Sequence, residues 1–254
     1  MAWVAQHRLV AVYWGGESIS GAHAADACGG SACWVRRVGQ LRGQRCLDAL
    51  GLPPGLGGLS PMWGVPLVVG FAVTVQVEPY QPGPAGPHLA ASAIAGAGPD
   101  DVMVMANGAR TDVSCWGGLL SLGAQLRGVR AAVVDGACRD VVEAQELAFP
   151  IYARASVPVT ARGRLRQGST GEPVVIAGVT VEPGDLVIAD ATGVAFVPRA
   201  RAAEVLGMAT VVQERERAIA ADLRAGVPLP QAMHDARLAA RADQGYHALQ
   251  SRSQ

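Results

Sequence analysis

The sequence predicts an α/β protein with a layered architecture. Between residues 98 and 205, short apolar runs typical of buried strands alternate with segments of helical composition. Half of the 254 residues are hydrophobic, which is enough to bury a sizeable core. The glycine fingerprints GxGxxG and GxxxxGK[ST] do not occur, so the sequence offers no nucleotide-binding motif.

The predicted elements follow from periodicity and from Gly and Pro punctuation. Gly51 closes a short first helix, and Gly70 marks a bulge or a close approach in the first long strand. In chain order, the remaining elements are a strand in "PLVVGFAVTVQVEP", a helix in "HLAASAIAGA", a strand in "GPDDVMVMANG" ending in an Asn-Gly turn, a helix in "GGLLSLGAQLRG", a strand in "RAAVVDGA" that ends near Asp135, a helix in "DVVEAQELAF", extended chain in "FPIYARASVPVT", a strand in "EPGDLVIADATGV" and a long helix over residues 199–226.

Composition divides the chain into three parts. Residues 1–44 hold three of the five Trp and show little periodicity, and we interpret them as an atypical N-terminal extension. Residues 45–215 carry the regular α/β pattern. Residues 216–254 are predicted to form a C-terminal helical tail.

Charge and cysteine content narrow the class of protein. The net charge is zero, which argues against a nucleic-acid partner. No apolar run is long enough for a membrane span, no signal peptide is evident, and five irregularly spaced cysteines do not suggest a disulfide framework. We therefore expect a cytoplasmic protein. All 21 basic residues are Arg, so no lysine is present to form a Schiff base with a carbonyl substrate.

A glycine pair opens one of the predicted helices. Gly117 and Gly118 stand where free N–H groups and the positive end of the helix dipole would meet an anion. Glycine lets a ligand approach the backbone closely. The alternative is a tight loop that needs two glycines for backbone reasons alone.

An Arg-Asp pair follows the next predicted strand. Arg139 and Asp140 lie beyond its carboxyl end, where open α/β sheets place ligands. Arg offers a planar fork for a carboxylate or enolate oxygen, and Asp is a hard oxygen ligand for Mg²⁺ or Mn²⁺. The alternative for Asp140 is a helix cap.

The spacing joins both features into the pattern G-X20-R-D-X2-E, formed by Gly118, Arg139, Asp140 and Glu143. With "NGARTDVSCWGG", "FPIYAR" and "VEPGDLVIADATGVAFVP", this text resembles the class II pyruvate aldolases that cleave 4-hydroxy-4-methyl-2-oxoglutarate and 4-carboxy-4-hydroxy-2-oxoadipate. The same family includes the regulator of ribonuclease activity A. The resemblance covers roughly residues 45–215.

The resemblance implies roles for individual residues. The backbone of Gly117, Gly118, Leu119 and Leu120 would bind the carboxylate of a pyruvoyl substrate, Arg139 would contact its keto oxygen, and Asp140 would bind a divalent cation, Mg²⁺ or Mn²⁺. The implied fold is a β/β/α swivelling-type sandwich with flanking helices. The implied assembly is a homotrimer or homohexamer with active sites between subunits.

Other polar residues leave alternatives open. Asp112 is a candidate catalytic residue that would hold a cation-bound water or relay a proton, and a turn-capping role is equally compatible with its position. Asn107 is interpreted as a turn residue, and Cys115 and Cys138 as small buried residues.

Two functions fit this pattern. The first is a divalent-metal-dependent lyase on 2-oxo acids, which cleaves 4-hydroxy-4-methyl-2-oxoglutarate or decarboxylates oxaloacetate through a metal-stabilised pyruvate enolate. The second is a non-catalytic regulator that binds a ribonuclease or another partner. The intact Arg139 and Asp140 favour the lyase.

Overall fold

In a computed structural model that describes residues 46–82 and 88–234, the chain forms an eight-stranded mixed sheet and a separate two-stranded sheet. The large sheet has the order β1-β5-β4-β3-β2-β9-β10, and β6 also pairs with β2. The strands are β1 (Ser60–Pro61), β2 (Val68–Pro79), β3 (Asp101–Trp116), β4 (Ala131–Cys138), β5 (Ile151–Ser156), β6 (Leu165–Thr170), β7 (Val174–Ile176), β8 (Val179–Val181), β9 (Leu186–Asp190) and β10 (Gly193–Val197).

The helices complete the predicted α/β class, which is confirmed. They are α1 (Ala91–Gly96), α2 (Gly118–Leu126), α3 (Val141–Glu146), α4 (Ala202–Arg224) and α5 (Leu229–Ala232), with a short 3₁₀ turn at Arg199–Arg201 and a helical turn at residues 46–49. The predicted extension 1–44 lies outside the described residues. The predicted boundary at 215–216 falls inside α4, and the division into three parts stays a prediction.

The centre of the large sheet consists of parallel strands. β2, β3, β4 and β5 run side by side in the same direction, with Val104 opposite Val133 and Val133 opposite Tyr152. All eight residues of β4 are buried. Strands covered on both faces need such continuous apolar sequence, which explains why "AAVV" shows no alternation of apolar and polar residues.

Each face of the sheet is covered differently. Met103, Met105 and Val134 point towards α1, α2 and α3 in one apolar cluster. Residues of opposite parity, such as Val104 and Val133, pack against the β7–β8 hairpin. Because successive side chains of a β-strand point to opposite faces of the sheet, the same strands contribute to two separate apolar clusters. The finer description as a swivelling-type sandwich stays a prediction.

Two expectations about strand ends were wrong. β3 does not stop at the Asn-Gly pair but continues to Trp116, because Gly108 and Ala109, both at φ 60°, shift the register and let the strand resume. β4 does not end near Asp135 but continues through Gly136 to Cys138. A Cβ at Gly136 would lie 2.9 Å from the carbonyl oxygen of Arg110, so glycine is needed there for the close approach of β3.

A buried ion pair ties the hairpin to the sheet. Asp135 on β4 accepts a 2.5 Å hydrogen bond from Nε of Arg154 on β5, and its other carboxylate oxygen accepts the N–H of Ala177 at 3.1 Å. The Asp135 side chain is only 3% exposed. This carboxylate therefore holds β4, β5 and the turn between β7 and β8 together.

We expect Asp135→Ala to lower the free energy of unfolding by about 2–4 kcal/mol, because it leaves a partly buried guanidinium and a backbone N–H without their acceptor. Glu78→Ala is the matched control, since Glu78 forms an exposed pair with Arg166 at 2.7 Å and such pairs contribute about 0–1 kcal/mol. Urea unfolding measures both. Equal losses in the two variants would contradict the role of Asp135.

Candidate functional site

The two halves of the G-X20-R-D-X2-E pattern meet at the carboxyl ends of β3 and β4. Trp116, the last residue of β3, lies opposite Cys138, the last residue of β4. The N–H of Arg139 then donates to the carbonyl of Trp116 at 2.9 Å. The glycine pair and the Arg-Asp pair are far apart in sequence and adjacent in space because their strands are parallel neighbours.

The glycine pair forms the start of α2. Gly117 is the N-cap residue in extended conformation, with φ −154° and ψ −175°, and Gly118 is the first helical residue. The N–H of Ser121 donates to the carbonyl of Gly117 at 3.0 Å. The preceding N–H groups of Leu119 and Leu120 therefore have no acceptor within the helix, and they form the positive end of the helix dipole.

The carboxylate of Asp140 lies at this helix start. Its Oδ2 accepts the N–H of Gly118 at 2.9 Å and lies 3.3 Å from Nε of Arg139. Asp140 occupies the N-cap position of α3 at φ 56°, yet its side chain makes no capping hydrogen bond there. Asp is among the residues that best tolerate this left-handed conformation. The structure thus turns Asp140 away from α3 and towards α2.

Charged side chains pack closely against both glycines. A Cβ at Gly117 would lie 2.9 Å from Oδ2 of Asp140 and 3.0 Å from Nε of Arg139. A Cβ at Gly118 would overlap the carboxylate of Glu143 and lie 3.3 Å from Cβ of Asp140. Gly118 thus lies against Asp140 and Glu143, and Asp140 pairs with Arg139, which explains the spacing of the pattern.

The assembled cluster is open to solvent. The side chain of Arg139 is 41% exposed and that of Asp140 is 30% exposed, while Glu143 and Leu119 are exposed. A small ligand reaches these groups without displacing a core residue. Asp140 and Glu143 present hard carboxylate oxygens, although the described part of the chain contains no group of three or more His, Cys, Asp or Glu placed to hold a metal ion.

Asp112 lies elsewhere on β3 and pairs with Arg110. Nε and an Nη of Arg110 donate to its two carboxylate oxygens at 3.0 and 2.8 Å. These hydrogen bonds hold the pKa of Asp112 below its usual range. The carboxylate is therefore ionised at neutral pH. Its part in proton relay stays a prediction.

The remaining candidates are buried. Cys115 and Cys138 are free thiols, as predicted, and burial raises the pKa of each to about 12, so neither is a thiolate nucleophile at neutral pH. Asn107 belongs to β3 and is 4% exposed, so its interpretation as a turn residue was wrong. Among the described residues, its Nδ2 is a buried donor without a hydrogen-bond partner.

A hydrogen-bond network that the sequence did not predict lies beneath the glycine pair. Nε1 of the buried Trp116 donates to Oγ of Ser121 at 2.9 Å, and this hydroxyl donates to the carbonyl of Gly117 at 3.2 Å. The Trp116 ring also stacks on Phe149, with centroids 6.0 Å apart. The sequence did contain a signal for this network. A Trp at the end of the strand directly precedes the N-cap glycine, and a Ser follows that glycine four residues later.

Within the described ranges, no helix has both the length and the apolar character needed to cross a membrane.

Comparison with known proteins gives a consistent family. The family model described as "RraA-like: Aldolase/RraA" matches residues 44–196, which is more than half of the chain. A protein from Halalkalibacterium halodurans named "Putative 4-hydroxy-4-methyl-2-oxoglutarate aldolase" is 36% identical over 62% of this chain and 74% of its own length. The crystal structure of Streptomyces coelicolor RraAS2, described as an unusual member of the RNase ES inhibitor RraA protein family, has a TM-score of 0.69 at 26% identity and covers 77% of this chain and 96% of that chain.

One further relative is much longer than the matched region. Protein DlpA of Legionella pneumophila is 30% identical over 74% of this chain, but the match covers only 31% of DlpA. The chain thus spans about a third of that protein's length.

The crowding around Gly118 is testable by a double-mutant cycle. We expect Gly118→Ala to destabilise the protein by no more than about 1 kcal/mol, because the new methyl group displaces the exposed Glu143 carboxylate and lies 3.3 Å from Cβ of Asp140, while alanine itself favours the helix. In a Glu143→Ala background the penalty is expected to shrink. Gly123→Ala is the control in the same helix, since its Cβ would meet only Ile94 at 3.8 Å. If the two substitutions change the free energy of unfolding additively in the double variant, the contact between residue 118 and Glu143 is contradicted.

Proposed function

The chain belongs to the aldolase/RraA family, and from this premise we propose that it is a divalent-metal-dependent lyase acting on pyruvoyl (2-oxo acid) substrates. The proposed reactions are aldol cleavage of 4-hydroxy-4-methyl-2-oxoglutarate and decarboxylation of oxaloacetate. The observation that carries the proposal is the contact of Asp140 with both Arg139 and the first N–H of α2. The name of the H. halodurans relative supports the aldolase reaction.

The start of α2 is suited to bind the substrate carboxylate. The N–H groups of Leu119 and Leu120 lack helical acceptors, and the helix dipole adds positive potential at this point. Because the N–H of Gly118 already donates to Asp140, we assign the carboxylate contact chiefly to Leu119 and Leu120. Gly117 contributes by having no side chain between this backbone and Arg139.

Arg139 is suited to stabilise the charge that develops during cleavage. When the C–C bond breaks, its electron pair passes into the pyruvoyl half, and the former keto oxygen becomes negative. In the aldol reaction the other half loses its hydroxyl proton and becomes a carbonyl, and C3 of the pyruvoyl half then takes up a proton. A guanidinium beside that oxygen favours the transition state because it is already oriented.

The carboxylates of Asp140 and Glu143 fit a Mg²⁺ or Mn²⁺ ion. Both are hard oxygen donors next to Gly118, and Mg²⁺ commonly binds one or two carboxylates while keeping several waters. Bound there, the cation would act as a Lewis acid on the keto oxygen. Asp140 would hold it, with its Oδ2 oriented by the N–H of Gly118. The absence of lysine excludes the Schiff-base route.

We propose that the protein assembles as a homotrimer or homohexamer in the cytoplasm, with the β/β/α swivelling-type layering of its family. An exposed apolar stripe beside the site supports self-association. Leu119, Leu122 and Leu126 share one face of α2, and Val142 at the start of α3 is also exposed. A second copy of the chain covering this stripe would also narrow access to Arg139 and Asp140.

The direct test is pyruvate release from oxaloacetate and from 4-hydroxy-4-methyl-2-oxoglutarate, with Mg²⁺ and with EDTA. We expect Asp140→Ala to abolish cation-stimulated release while the protein stays folded. Arg139→Ala is expected to reduce turnover about 10²–10³-fold with a smaller effect on cation affinity. Glu146→Ala, which removes an exposed carboxylate from the same helix as Glu143, is the matched control and should retain full activity.

Two results would contradict this function. Wild-type activity in either the Asp140 or the Arg139 variant would show that the roles are wrong. No release from folded wild-type protein with Mg²⁺ or Mn²⁺ would exclude both reactions and favour the alternative, a binding regulator of a ribonuclease or another partner. The observation that supports this alternative is the similarity to RraAS2, which is described as a member of a family of RNase ES inhibitors.

A further inference from the structure

One peptide unit connects a buried network to the site. The carbonyl of Gly117 and the N–H of Gly118 belong to the same planar group, so the direction of one fixes the direction of the other. The N–H points at Oδ2 of Asp140 at 2.9 Å. Whatever holds the Gly117 carbonyl therefore also orients the Asp140 carboxylate.

Ser121 holds that carbonyl with two donors. Its backbone N–H donates at 3.0 Å and its hydroxyl donates at 3.2 Å. The residue is fully buried. Neither glycine has a side chain with which to fix this peptide, and the N-cap residue of α2 makes no side-chain capping bond.

Trp116 fixes the direction of the Ser121 hydroxyl. Its indole N–H donates to Oγ at 2.9 Å, so the single hydroxyl hydrogen is left to donate to Gly117. The indole is itself immobilised by stacking on Phe149, and the Trp116 carbonyl accepts the N–H of Arg139 at 2.9 Å. Trp116 thus contacts both halves of the sequence pattern.

A Ser bonding the carbonyl four residues earlier is common inside helices and alone indicates nothing about function. Here the Ser121 hydroxyl also accepts a hydrogen bond from Trp116. The Gly117 carbonyl to which it donates belongs to the peptide whose N–H binds Asp140. The bonds form one directed chain from Trp116 through Ser121 and the glycine peptide to the carboxylate. Consecutive hydrogen bonds of this kind polarise and strengthen one another.

We propose that Ser121 is a positioning residue of the site, with its hydroxyl oriented by Trp116 so that the Gly117–Gly118 peptide holds Asp140 in the geometry for binding a cation. The proposal rests on the proposed function in one respect, the assignment of Asp140 as the cation ligand. Ser121 touches neither substrate nor cation and acts only through the peptide.

The test compares Ser121→Ala with two other variants of α2. Ala124→Gly is the matched control, because it weakens the same helix at a buried position without altering the Gly117 carbonyl. Ser121→Thr is the conservative variant, because it retains the hydroxyl. The readouts are Mn²⁺ dissociation constants from the electron paramagnetic resonance of free Mn²⁺, pyruvate release, hydrogen exchange of the Gly118 amide, and thermal unfolding.

For Ser121→Ala we expect Mn²⁺ binding to weaken about three- to tenfold, somewhat below the usual effect of losing a direct partner of a metal ligand because one N–H still holds the carbonyl. Exchange of the Gly118 amide is expected to accelerate. Excess Mn²⁺ should restore most of the turnover. Ala124→Gly should lose about as much thermal stability as Ser121→Ala but keep the wild-type Mn²⁺ affinity and turnover. Ser121→Thr should keep the wild-type Mn²⁺ affinity.

Unchanged Mn²⁺ affinity and unchanged Gly118 exchange in Ser121→Ala would overturn the positioning role while leaving the lyase intact. Equal losses of Mn²⁺ affinity in Ser121→Ala and Ala124→Gly would reduce Ser121 to a stability residue and overturn the proposal as well. Wild-type protein that neither binds Mn²⁺ nor releases pyruvate would overturn the proposed function itself, and with it any role of Ser121 in holding a cation ligand.

Discussion

The hydrogen bond from the N–H of Gly118 to Oδ2 of Asp140 is the contact on which the arrangement of the site depends. It fastens the start of α2 to the start of α3 at 2.9 Å. Three features accompany this bond: residue 118 has no side chain beside Asp140 and Glu143, Asp140 adopts a left-handed conformation, and β3 and β4 end side by side. Gly118 and Asp140 appear in the sequence as two positions of a widely spaced pattern.

The rest of the fold serves to hold these two helix starts rigidly. β4 and residues 102–107 of β3 are buried on both faces, by helices on one side and by the β7–β8 hairpin on the other. Rigid strands that end at the same edge place loop residues more accurately than flexible connections do. Asp135 extends this support by joining β4 to β5 and to the hairpin, four residues before Arg139.

Much of this was predictable because local chemistry determines it. The glycine pair predicted the start of α2. Gly128, the last residue of the predicted helical segment, has the positive φ of 78° that is common just after a helix. The strand ends were not predictable, because β4 continues past Gly136, where glycine allows the close approach of β3. Ser121 and the burial of Asn107 were also missed, since both depend on tertiary neighbours that no local pattern specifies.

The central claim is that a cation on Asp140 and a 2-oxo acid at the start of α2 share one site. The most direct measurement is the Mn²⁺ dissociation constant of the protein with and without saturating pyruvate, corrected for Mn²⁺ bound by free pyruvate. If the two ligands meet at this site, pyruvate tightens Mn²⁺ binding, Mn²⁺ tightens pyruvate binding by the same factor, and Asp140→Ala abolishes the coupling. Mn²⁺ binding that is indifferent to pyruvate in the wild-type protein would contradict the account.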